Sequence, residues 1–323
     1  MKVLVTGATG FVGRGVCAWV QSNGHEVVAS TRKVGADLPA SIRQYNIAGL
    51  GTATDWSEAL RDVQVVVHCA ARAHVMNETA PDPLALFREV NRDGTLSLAR
   101  QAAKAGVRRF IFISSIKVNG ESTQPNRPFT ADDTPAPMDP YGISKFEAEQ
   151  GLKEIAQQTG MQVVIIRPPL IYGPGVKANF ESLISSIKRG IPLPIGALDH
   201  NRRSFVALGN LTELIGLCLT HKSATNQTFL VSDGEDLSTA SLARRIGLAV
   251  GRPARLIHVP ASWIRIGAAM FRRPGIYQRL CGSLQVDIHK TRELLDWSPT
   301  VSVDAALQEA SRDDNTKRSP NRL

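Results

Sequence analysis

The sequence has few cysteines, few aromatic residues and no run of about 18 apolar residues of the kind that crosses a bilayer. Of its 323 residues, only 4 are cysteine and 6% are aromatic. The first residues, MKVLVTG, read as a strand that enters a turn and not as a signal peptide. We therefore expect a soluble, cytoplasmic protein that does not insert stably into a membrane.

The cysteines also lack the spacing of a metal site. They are scattered through apolar stretches, at Cys17, Cys69, Cys218 and Cys281. Thiols stay reduced in the cytoplasm, so we interpret all four as reduced core residues. The sequence predicts neither a disulfide framework nor a bound metal ion.

The formal net charge of +9 at pH 7 raises the question of nucleic acid binding. Lysine and arginine are spread along the chain, and no basic stripe carries interleaved aromatic residues, so we expect no nucleic acid partner. A small substrate that carries phosphate accounts for the excess equally well. The segment 312–323, RDDNTKRSPNRL, has one apolar residue and is predicted to be a disordered tail.

Strand and helix patterns alternate over roughly the first half of the chain, which predicts an α/β fold with a doubly wound parallel sheet, the Rossmann architecture. Helical patterns begin near Phe11, Asp55, Pro83 and Tyr141. The predicted strands are Lys2–Thr6, Glu26–Thr31, Arg43–Ile47, Gln64–His68, Arg109–Ser114 and Gln162–Arg167.

The stretch VLVTGATGFVG places Gly7, Gly10 and Gly13 between the first strand and the first helix. Glycine lets the backbone approach a pyrophosphate that lies on the N-terminus of the helix. The spacing G-x-x-G-x-x-G differs from the commoner G-x-G-x-x-G, and a mere tight turn is the alternative. Because strand and helix flank the glycines in the required order, we predict a dinucleotide-binding turn.

The second predicted strand ends without the carboxylate that usually holds the adenosine ribose about 20 residues past such a turn. That position is Thr31, and Arg32 follows it. A guanidinium can hold a 2′-phosphate with two parallel hydrogen bonds, whereas a carboxylate would repel it. Arg32 therefore favours NADP(H). NAD(H) stays open, since a solvated arginine at a strand end is the alternative.

A candidate catalytic pair lies in DPYGISKFEAEQ, where Tyr141 and Lys145 are four residues apart at the start of a helical pattern. A nearby ammonium and a positively charged nicotinamide both favour the tyrosinate, which predicts a lowered pKa for Tyr141 and a role as acid or base. In FISSIKVNG a strand ends in Ser114 and Ser115. A hydroxyl there faces the ligand crevice, so Ser115 could hydrogen-bond the reacting oxygen. Without the other motifs, Tyr141 and Lys145 would be interpreted as a surface pair on an amphipathic helix. The two serines would be interpreted as turn formers.

Five motifs then occur in a fixed order: GATGFVG, VVHCAARAH, VNRDGT, ISSIKVNG and YGISK. In this order they resemble the extended short-chain dehydrogenases/reductases, and among these the NAD-dependent epimerase/dehydratase branch of nucleotide-sugar enzymes. The stretches RPPLIYGPG and RRSFVALGNL extend the similarity over nearly the whole chain.

The strand and helix rhythm breaks after RPPLIYGPG, where proline and glycine cluster and helices dominate. We therefore expect residues 1–174 to form the dinucleotide-binding Rossmann domain with the catalytic residues. Residues 175–311 would form a smaller, mixed C-terminal subdomain that binds the nucleotide sugar. The stretch NRRSFVALGNL is a candidate for a strand that returns to the main sheet.

The resemblance also implies roles for particular residues. Ser115, Tyr141 and Lys145 would be the catalytic trio, with Lys145 also holding the nicotinamide ribose, and Asn91 would support the active-site helix. The expected cofactor-binding residues are Gly7, Gly10, Phe11, Val12, Gly13, Arg32, Asn46, Ile47, Ala70, Ala71, Asn91, Tyr141 and Lys145. The expected substrate-binding residues are Ser115, Lys117, Asn179, Arg203 and Arg279.

Three departures from the family pattern bear on cofactor and substrate, and one of them is Arg32. Lys117 and Asn119 stand in IKVNG where relatives commonly have small or hydroxyl residues and a tyrosine. The resemblance implies that both side chains adjoin the sugar. Asn46 follows the third strand, where an acid often meets the adenine amino group, and its amide oxygen can accept the same hydrogen bond.

Three functions remain open. Because NADPH is the cell's main reductant for biosynthesis, Arg32 favours a reductase. The stretches SSIKVNGE and CGSLQVDIHKTRELLDW resemble bacterial surface-polysaccharide enzymes. The resemblance implies that the substrate is the C4 ketone of a UDP-4-keto-6-deoxy-N-acetylhexosamine. A UDP-hexose 4-epimerase with tightly bound NAD is the alternative. A catalytically inactive NADP(H)-binding sensor or assembly protein is disfavoured, since the catalytic trio is complete.

Two further points concern partners. Relatives are often dimers through the helix that carries the tyrosine, so a homodimer is one possible state, although the sequence does not fix it. The stretch SWIRIGAAMFRRPG, residues 262–275, has the pattern of a membrane-surface helix with basic flanks, but a packed helix of the substrate subdomain is the favoured interpretation.

Overall fold

The computed structural model describes residues 1–33, 35–73, 82–124, 127–270 and 274–312. Within these ranges, seven parallel strands form one sheet in the order β3-β2-β1-β4-β5-β6-β9, and β7 and β8 form a separate two-stranded parallel sheet. The predicted doubly wound sheet is therefore confirmed. The strands are Lys2–Thr6 (β1), Glu26–Thr31 (β2), Arg43–Asn46 (β3), Val65–His68 (β4), Arg109–Ile113 (β5), Gln162–Arg167 (β6), Leu170–Tyr172 (β7), Phe205–Ala207 (β8) and Thr228–Leu230 (β9).

Helices cover both faces of the main sheet. In the part of the chain that the structure describes they are Phe11–Ser22 (α1), Pro83–Arg88 (α2), Thr95–Lys104 (α3), Pro140–Thr159 (α4), Asn179–Arg189 (α5), Leu208–Cys218 (α6), Thr239–Ala249 (α7), Ala261–Met270 (α8), Pro274–Cys281 (α9), His289–Leu295 (α10) and Val303–Ser311 (α11). A π-helix, Glu89–Gly94, joins α2 to α3, and a 3₁₀ turn, Ile116–Val118, follows β5.

The central strands are mostly apolar because both faces of the sheet are covered. β4 and β5, for example, are buried at every residue. One face packs against α1 and α6 through side chains such as Val16 and Leu214. The other face packs against α3 and α4 through side chains such as Leu98 and Leu152. The two layers fix the sheet, and with it the positions of the loops at its carboxyl edge.

The prediction of a helix that begins near Asp55 is wrong. Residues 57–62 form turns, with only a single helical hydrogen bond from the Leu60 N–H to the Trp56 carbonyl. Asp62 has a φ of 62°, which is outside the helical region and ends the turn. Strand β4 begins three residues later.

The strand that returns to the main sheet lies in QTFLVSD, not in NRRSFVALGNL. β9 pairs with β6, with Phe229 beside Ile166. β8 instead pairs with β7, which places Phe205 beside Leu170 in the smaller sheet. A third apolar cluster holds this C-terminal part together, with Tyr172, Phe205 and Ile246 among its members.

The four cysteines are free thiols. Cys17 and Cys218 are buried, as expected for core residues, whereas Cys69 and Cys281 are only half-buried. Among the described residues, no group of three or more His, Cys, Asp or Glu side chains is arranged to hold a metal ion. Apart from Arg312, the predicted tail lies outside the described residues.

Candidate active site

The three glycines of the first turn are required by close backbone contacts. Gly7 has a φ of 65°, and a Cβ atom on it would lie 2.8 Å from the Ala70 backbone nitrogen. A Cβ on Gly13 would lie 2.1 Å from the Gly7 carbonyl oxygen, and one on Gly10 would lie 3.1 Å from the same atom. The turn therefore folds tightly against both α1 and the loop after β4, which leaves no room for side chains.

The N-terminus of α1 can receive an anion. Gly10 is the N-cap, no side chain caps the helix, and no acidic residue lies in its first turn. The first helical residues, Phe11 and Val12, are half-buried. Uncapped backbone N–H groups and the helix dipole both favour a phosphate here, so the turn fits the pyrophosphate of a dinucleotide.

A buried polar network supports this turn from below, and the sequence analysis missed it. His68 is fully buried, and its two ring nitrogens lie 2.7 Å from the Thr6 hydroxyl and 2.9 Å from the Thr95 hydroxyl. Burial lowers the pKa of His68 to about 3, so the ring is neutral. Thr6 also accepts a hydrogen bond from the Ala70 N–H at 3.2 Å. The network ties the end of β1 to the loop after β4, at the point where the strand order reverses.

The residues predicted to hold the adenosine side of the cofactor are mostly exposed. Arg32 follows β2 and is exposed, and within the described chain no carboxylate pairs with it. Asn46 is exposed at the end of β3, while Ile47 is buried and donates its N–H to the Thr31 carbonyl. Ala71, after β4, is also exposed and is small enough for a ligand to pass close to the backbone.

Local sequence fixes the start of α4, which carries the tyrosine and lysine. Asp139 is the N-cap and accepts a hydrogen bond from the Gly142 N–H at 2.6 Å, and Pro140 occupies the first helical position. A Cβ on Gly142 would lie 2.9 Å from the Lys117 carbonyl oxygen, so this glycine lets α4 approach the turn after β5. The Asp-Pro pair was the available sequence signal for the cap.

Tyr141 and Ser115 are brought together, as the sequence predicts. The Ser115 hydroxyl lies near the Tyr141 phenol and acts on its pKa, and the Phe87 ring contacts the Tyr141 ring edge-on at 6.1 Å between centroids. Burial and the nearby Asp139 carboxylate raise the pKa of Tyr141 to about 12, while the Ser115 hydroxyl lowers it. The pair can therefore hold a hydroxyl or carbonyl oxygen and exchange a proton with it.

Lys145 lies one turn further along α4 and is 1% exposed. Its ammonium donates to the Ile113 carbonyl at 2.8 Å and lies 4.3 Å from the centroid of the Phe112 ring. Burial lowers the pKa of Lys145 to about 8, although Cys69 and Glu149 oppose the shift. The charged form of Lys145 is therefore destabilised by desolvation. Strongly shifted pKa values of this kind are typical of functional sites.

The expected lowering of the Tyr141 pKa is not found in the protein by itself. The Lys145 ammonium is directed at a backbone carbonyl and an aromatic ring, and it does not offset the burial of the phenol. The prediction considered the two positive groups and left out desolvation and Asp139. The protein's own groups thus favour the neutral phenol.

Asn91 links three parts of the site. It is fully buried in the π-helix, a geometry often found at functional sites. Its amide nitrogen donates to the Ser144 hydroxyl at 3.0 Å and to the Arg72 carbonyl at 3.1 Å, and its oxygen accepts from the Arg72 N–H at 2.8 Å. Ser144 in turn donates to the Tyr141 carbonyl. Asn91 therefore fixes the loop after β4 against the first turn of α4.

A second buried network, also missed, lies behind the catalytic helix. Arg167 and Glu149 form a bidentate ion pair, with contacts of 2.9 and 2.5 Å. Glu149 also accepts from the Ser114 hydroxyl at 2.5 Å, which makes Ser114 a structural partner of α4. Asn119 accepts from Arg167 at 2.9 Å and donates to the Thr130 carbonyl. Asn119 is 2% exposed, so the expectation that its side chain adjoins the sugar is wrong.

Lys117 is partly exposed and lies between two carboxylates. Its ammonium pairs with Asp139, the cap of α4, and with Glu121 at 3.3 Å. Its backbone N–H donates to the Ser115 hydroxyl at 3.3 Å. Lys117 therefore neutralises the carboxylate that raises the Tyr141 pKa, and it joins the serine turn to the tyrosine helix.

The predicted substrate residues of the C-terminal part differ in exposure. Asn179 is exposed at the start of α5. Arg203 is half-buried, donates to the Gly282 carbonyl at 3.0 Å, and has its pKa lowered by burial. The side chain of Arg279 lies outside the described residues. A desolvated guanidinium such as that of Arg203 would gain from a phosphate partner.

The fold and the site together define a dinucleotide-binding α/β protein of the short-chain dehydrogenase/reductase type. The model of the NAD dependent epimerase/dehydratase family matches residues 3–232. A UDP-glucose 4-epimerase of Vibrio cholerae is 44% identical over 311 residues, which cover 96% of this chain and 94% of the relative. The chain therefore belongs to the NAD-dependent epimerase/dehydratase family.

Solved structures share the fold. A UDP-N-acetylglucosamine 4-epimerase from Bacillus cereus matches with a TM-score of 0.78 at 21% identity, over 96% of this chain and 98% of the other. A UDP-glucuronic acid 4-epimerase from the same organism, in complex with NAD, matches with a TM-score of 0.77 at 23% identity, over 96% and 95%. Within the described residues, no helix has the length and apolarity to cross a membrane.

Proposed function

We propose that this chain is a UDP-hexose 4-epimerase that keeps its NAD bound through the catalytic cycle. The observation that carries the proposal is the proximity of Tyr141 and Ser115 at the carboxyl edge of the sheet, with Lys145 one helical turn away. The 44% identity to a protein named UDP-glucose 4-epimerase supports the choice of reaction and substrate.

A bound nicotinamide would supply reversible hydride transfer at the sugar C4. Tyr141 removes the proton of the 4-hydroxyl as the ketone forms and gives it back when the hydroxyl is restored. Ser115 donates a hydrogen bond to the same oxygen. No net oxidation or reduction occurs, so the cofactor is not consumed.

Lys145 prepares Tyr141 for this role. Its ammonium is buried and costs free energy in its present position, so a ribose hydroxyl within reach would be a favourable additional partner. A positive charge near the phenol also stabilises the phenolate that proton abstraction requires. Asn91 acts further away, since it holds the Tyr141 turn through Ser144.

A second candidate is a 4-ketoreductase that transfers hydride from NADPH to a UDP-4-keto-6-deoxy-N-acetylhexosamine, for surface polysaccharide. The observation that favours it is Arg32, which is exposed at the end of β2 without a carboxylate partner among the described residues. In this reaction Tyr141 supplies the proton to the C4 oxygen and Ser115 steadies that oxygen. Cofactor is then consumed with each turnover.

One assay separates the two candidates. Purified protein is incubated with UDP-glucose or UDP-N-acetylglucosamine without added cofactor, and separately with the 4-keto sugar and NADPH. Interconversion of the hexoses at constant nicotinamide absorbance supports the epimerase. Stoichiometric loss of NADPH with the keto sugar, and no hexose interconversion, would reject the epimerase in favour of the reductase.

The cofactor preference has its own test. If Arg32 holds a 2′-phosphate, Arg32→Asp should weaken NADPH binding about 10-fold or more, because a charge-assisted hydrogen bond contributes roughly 1.5–3 kcal/mol, while NADH binding changes little. Arg61→Asp, at another exposed arginine outside the crevice, is the control for net charge. Equal losses for NADPH and NADH would mean that Arg32 does not contact the phosphate.

Two further expectations complete the proposal. The division into a cofactor domain, residues 1–174, and a substrate subdomain, residues 175–311, follows from the positions proposed for their ligands.

A homodimer through α4 would place two active-site helices side by side. Light scattering of the purified protein would test for the dimer. A monomeric mass at micromolar concentration would reject the proposed homodimer.

A further inference from the structure

The positive charge of this protein is concentrated in one stretch, residues 237–286. This stretch contains eight arginines, no lysine, no aspartate and no glutamate, so it contributes +8 of the net +9. The remainder has 38 − 8 = 30 basic and 29 acidic residues, a net charge of +1. Basic residues are thus spread along the chain, as expected, but the net charge is not, because the acidic residues are missing from this stretch.

The arginines of this stretch divide into two groups. Arg244 and Arg245 pair with acidic residues from outside the stretch, namely Asp199 and Glu235. Arg255, before α8, and Arg265, within α8, are exposed. The sequence adds Arg272 and Arg273 just after α8. Among the described residues, Arg255 and Arg265 thus face solvent without an acidic partner, and Arg265 lies on α8 itself.

Exposed apolar side chains concentrate in the same stretch. Trp263, Ile266 and Met270 on α8 are 69%, 61% and 73% exposed. Their spacing of three and four residues places them on one face of the helix. Ile257, just before the helix, is 51% exposed. The favoured interpretation of this segment as a packed helix does not hold for these three side chains of α8.

We propose that this face of α8 docks on the surface of a bilayer that contains anionic phospholipids. Tryptophan is favoured at the boundary between headgroups and acyl chains, and isoleucine and methionine can enter the apolar side of that boundary. Arginine beside them pairs with the phosphates of the headgroups. Three inserted side chains give reversible attachment, and the site on the sheet stays accessible to substrate.

Other occupants fit the surface less well. A second copy would bring the same +8 stretch against itself, which repulsion disfavours. A nucleic acid would use the arginines, but it would leave the aliphatic Ile266 and Met270 in contact with a charged backbone. Apolar and cationic groups on one short helix are best matched by a lipid surface.

Trp263 offers a direct readout of docking. Of the four tryptophans, Trp56 and Trp297 are buried and Trp19 is partly buried, whereas Trp263 is exposed. The full chain is titrated with vesicles of phosphatidylcholine containing about 30% phosphatidylglycerol, and with pure phosphatidylcholine vesicles. We expect a blue shift of the emission and co-flotation with the anionic vesicles only, both lost in about 1 M NaCl, where charges are screened within about 3 Å.

Variants identify the surface. Trp263→Ser combined with Ile266→Ser should weaken vesicle binding at least about tenfold, and Arg265→Glu at least about fivefold, since one basic residue near the surface is worth about 1 kcal/mol. Ile191→Ser combined with Leu294→Ser removes exposed apolar side chains outside the stretch and should change nothing. Melting temperatures show that each variant is folded.

The outcomes decide the proposal without reference to enzymatic activity. Equal binding to both kinds of vesicle, or undiminished binding by the Trp263→Ser, Ile266→Ser variant, would overturn it. Binding to a DNA duplex that is tighter than to anionic vesicles would assign the surface to nucleic acid instead. None of the substituted residues belongs to the proposed site of Tyr141, Ser115 and Lys145, so all variants should keep the turnover of the wild-type protein on a soluble substrate.

Discussion

Arg167 and Arg244 each meet a carboxylate, at 2.5 Å and 2.7 Å, but in opposite surroundings. The side chains of the Arg167–Glu149 pair are 2% and 1% exposed, and those of the Arg244–Asp199 pair are 48% and 39% exposed. The first pair lies behind the catalytic helix. The second lies on the surface of the C-terminal part, in the stretch where charge is left uncompensated.

This difference shows how the two parts of the molecule are used. Around the sheet, buried polar groups such as His68, Asn91 and Glu149 are satisfied by partners from other elements, so they fix loops and helices in one arrangement. In the 237–286 stretch, Arg265 and the Trp263, Ile266 and Met270 side chains of α8 face solvent. A reaction site needs fixed geometry, whereas a docking surface needs accessible groups.

The largest expected effect is the loss of turnover when the phenol is removed. Tyr141→Phe should lower kcat about 10²–10⁴-fold, because positioned acid–base groups contribute rates of that order. The melting temperature should stay within a few degrees of the wild type, since the ring and its contact with Phe87 are kept. Tyr277→Phe, in the C-terminal part, is the matched control and should keep full activity. Undiminished turnover by Tyr141→Phe would contradict the proposed role of the phenol as acid and base.

The two ion pairs should differ in their contribution to stability. Arg167→Met leaves Glu149 buried without its cation and should lower the free energy of unfolding by about 3–5 kcal/mol, whereas Arg244→Met should cost about 0–1 kcal/mol. Urea unfolding at pH 7 measures both. Adding Glu149→Gln to Arg167→Met should recover part of the loss. Similar losses for the two arginines would contradict the division between buried and exposed networks.

Substitution of Lys145 should show that its buried ammonium lowers the free energy of unfolding. Its pKa is lowered to about 8, so below that pH the folded state bears the full cost of a buried cation. Lys145→Met should therefore raise the free energy of unfolding at pH 7, by up to about 3 kcal/mol, while abolishing activity. Between about pH 8 and 10.5 the unfolded wild-type chain binds more protons than the folded one, so wild-type stability rises and the difference shrinks.

The exposed Lys153, on the same helix, gives the control for Lys145. Lys153→Met should change the free energy of unfolding by no more than about 0.5 kcal/mol at either pH. A stability gain for Lys145→Met that grows with pH would contradict the sign derived from burial.

The smallest expected effect is a shift of the pH profile through Lys117. Proton abstraction needs the phenolate, so the rate rises with pH through the Tyr141 pKa, and the Asp139 carboxylate moves that pKa upward. Lys117→Met removes the partner of Asp139 and should shift the rising limb upward by about half a pH unit, about 0.7 kcal/mol. Asp139→Asn keeps a capping side chain and should shift the limb downward.

Lys117→Arg, which keeps the charge, should leave the limb in place. The same variants also test the prediction that Lys117 binds substrate. A rise in KM for Lys117→Met at an unchanged pH profile would support a substrate contact and count against the electrostatic role.

Much of the sheet and part of the site could be predicted from sequence. β1, β2 and β6 have the predicted bounds, since buried parallel strands leave continuous apolar runs. The pairing of Tyr141 with Ser115 followed from ordered motifs. The helix near Asp55 failed because one aspartate in the left-handed region ends it. The raised pKa of Tyr141 was missed because desolvation depends on neighbours that are distant in the chain.

The sequence by itself determined the fold, the glycine turn and the identity of the catalytic candidates, because apolar periodicity, backbone freedom and residue chemistry are local properties. Only the tertiary structure decided that Asn119 supports Arg167 instead of lining the crevice, that Glu149 holds α4, and that Trp263, Ile266 and Met270 of α8 remain exposed. Burial and partnership arise from residues far apart along the chain, and no local pattern records them.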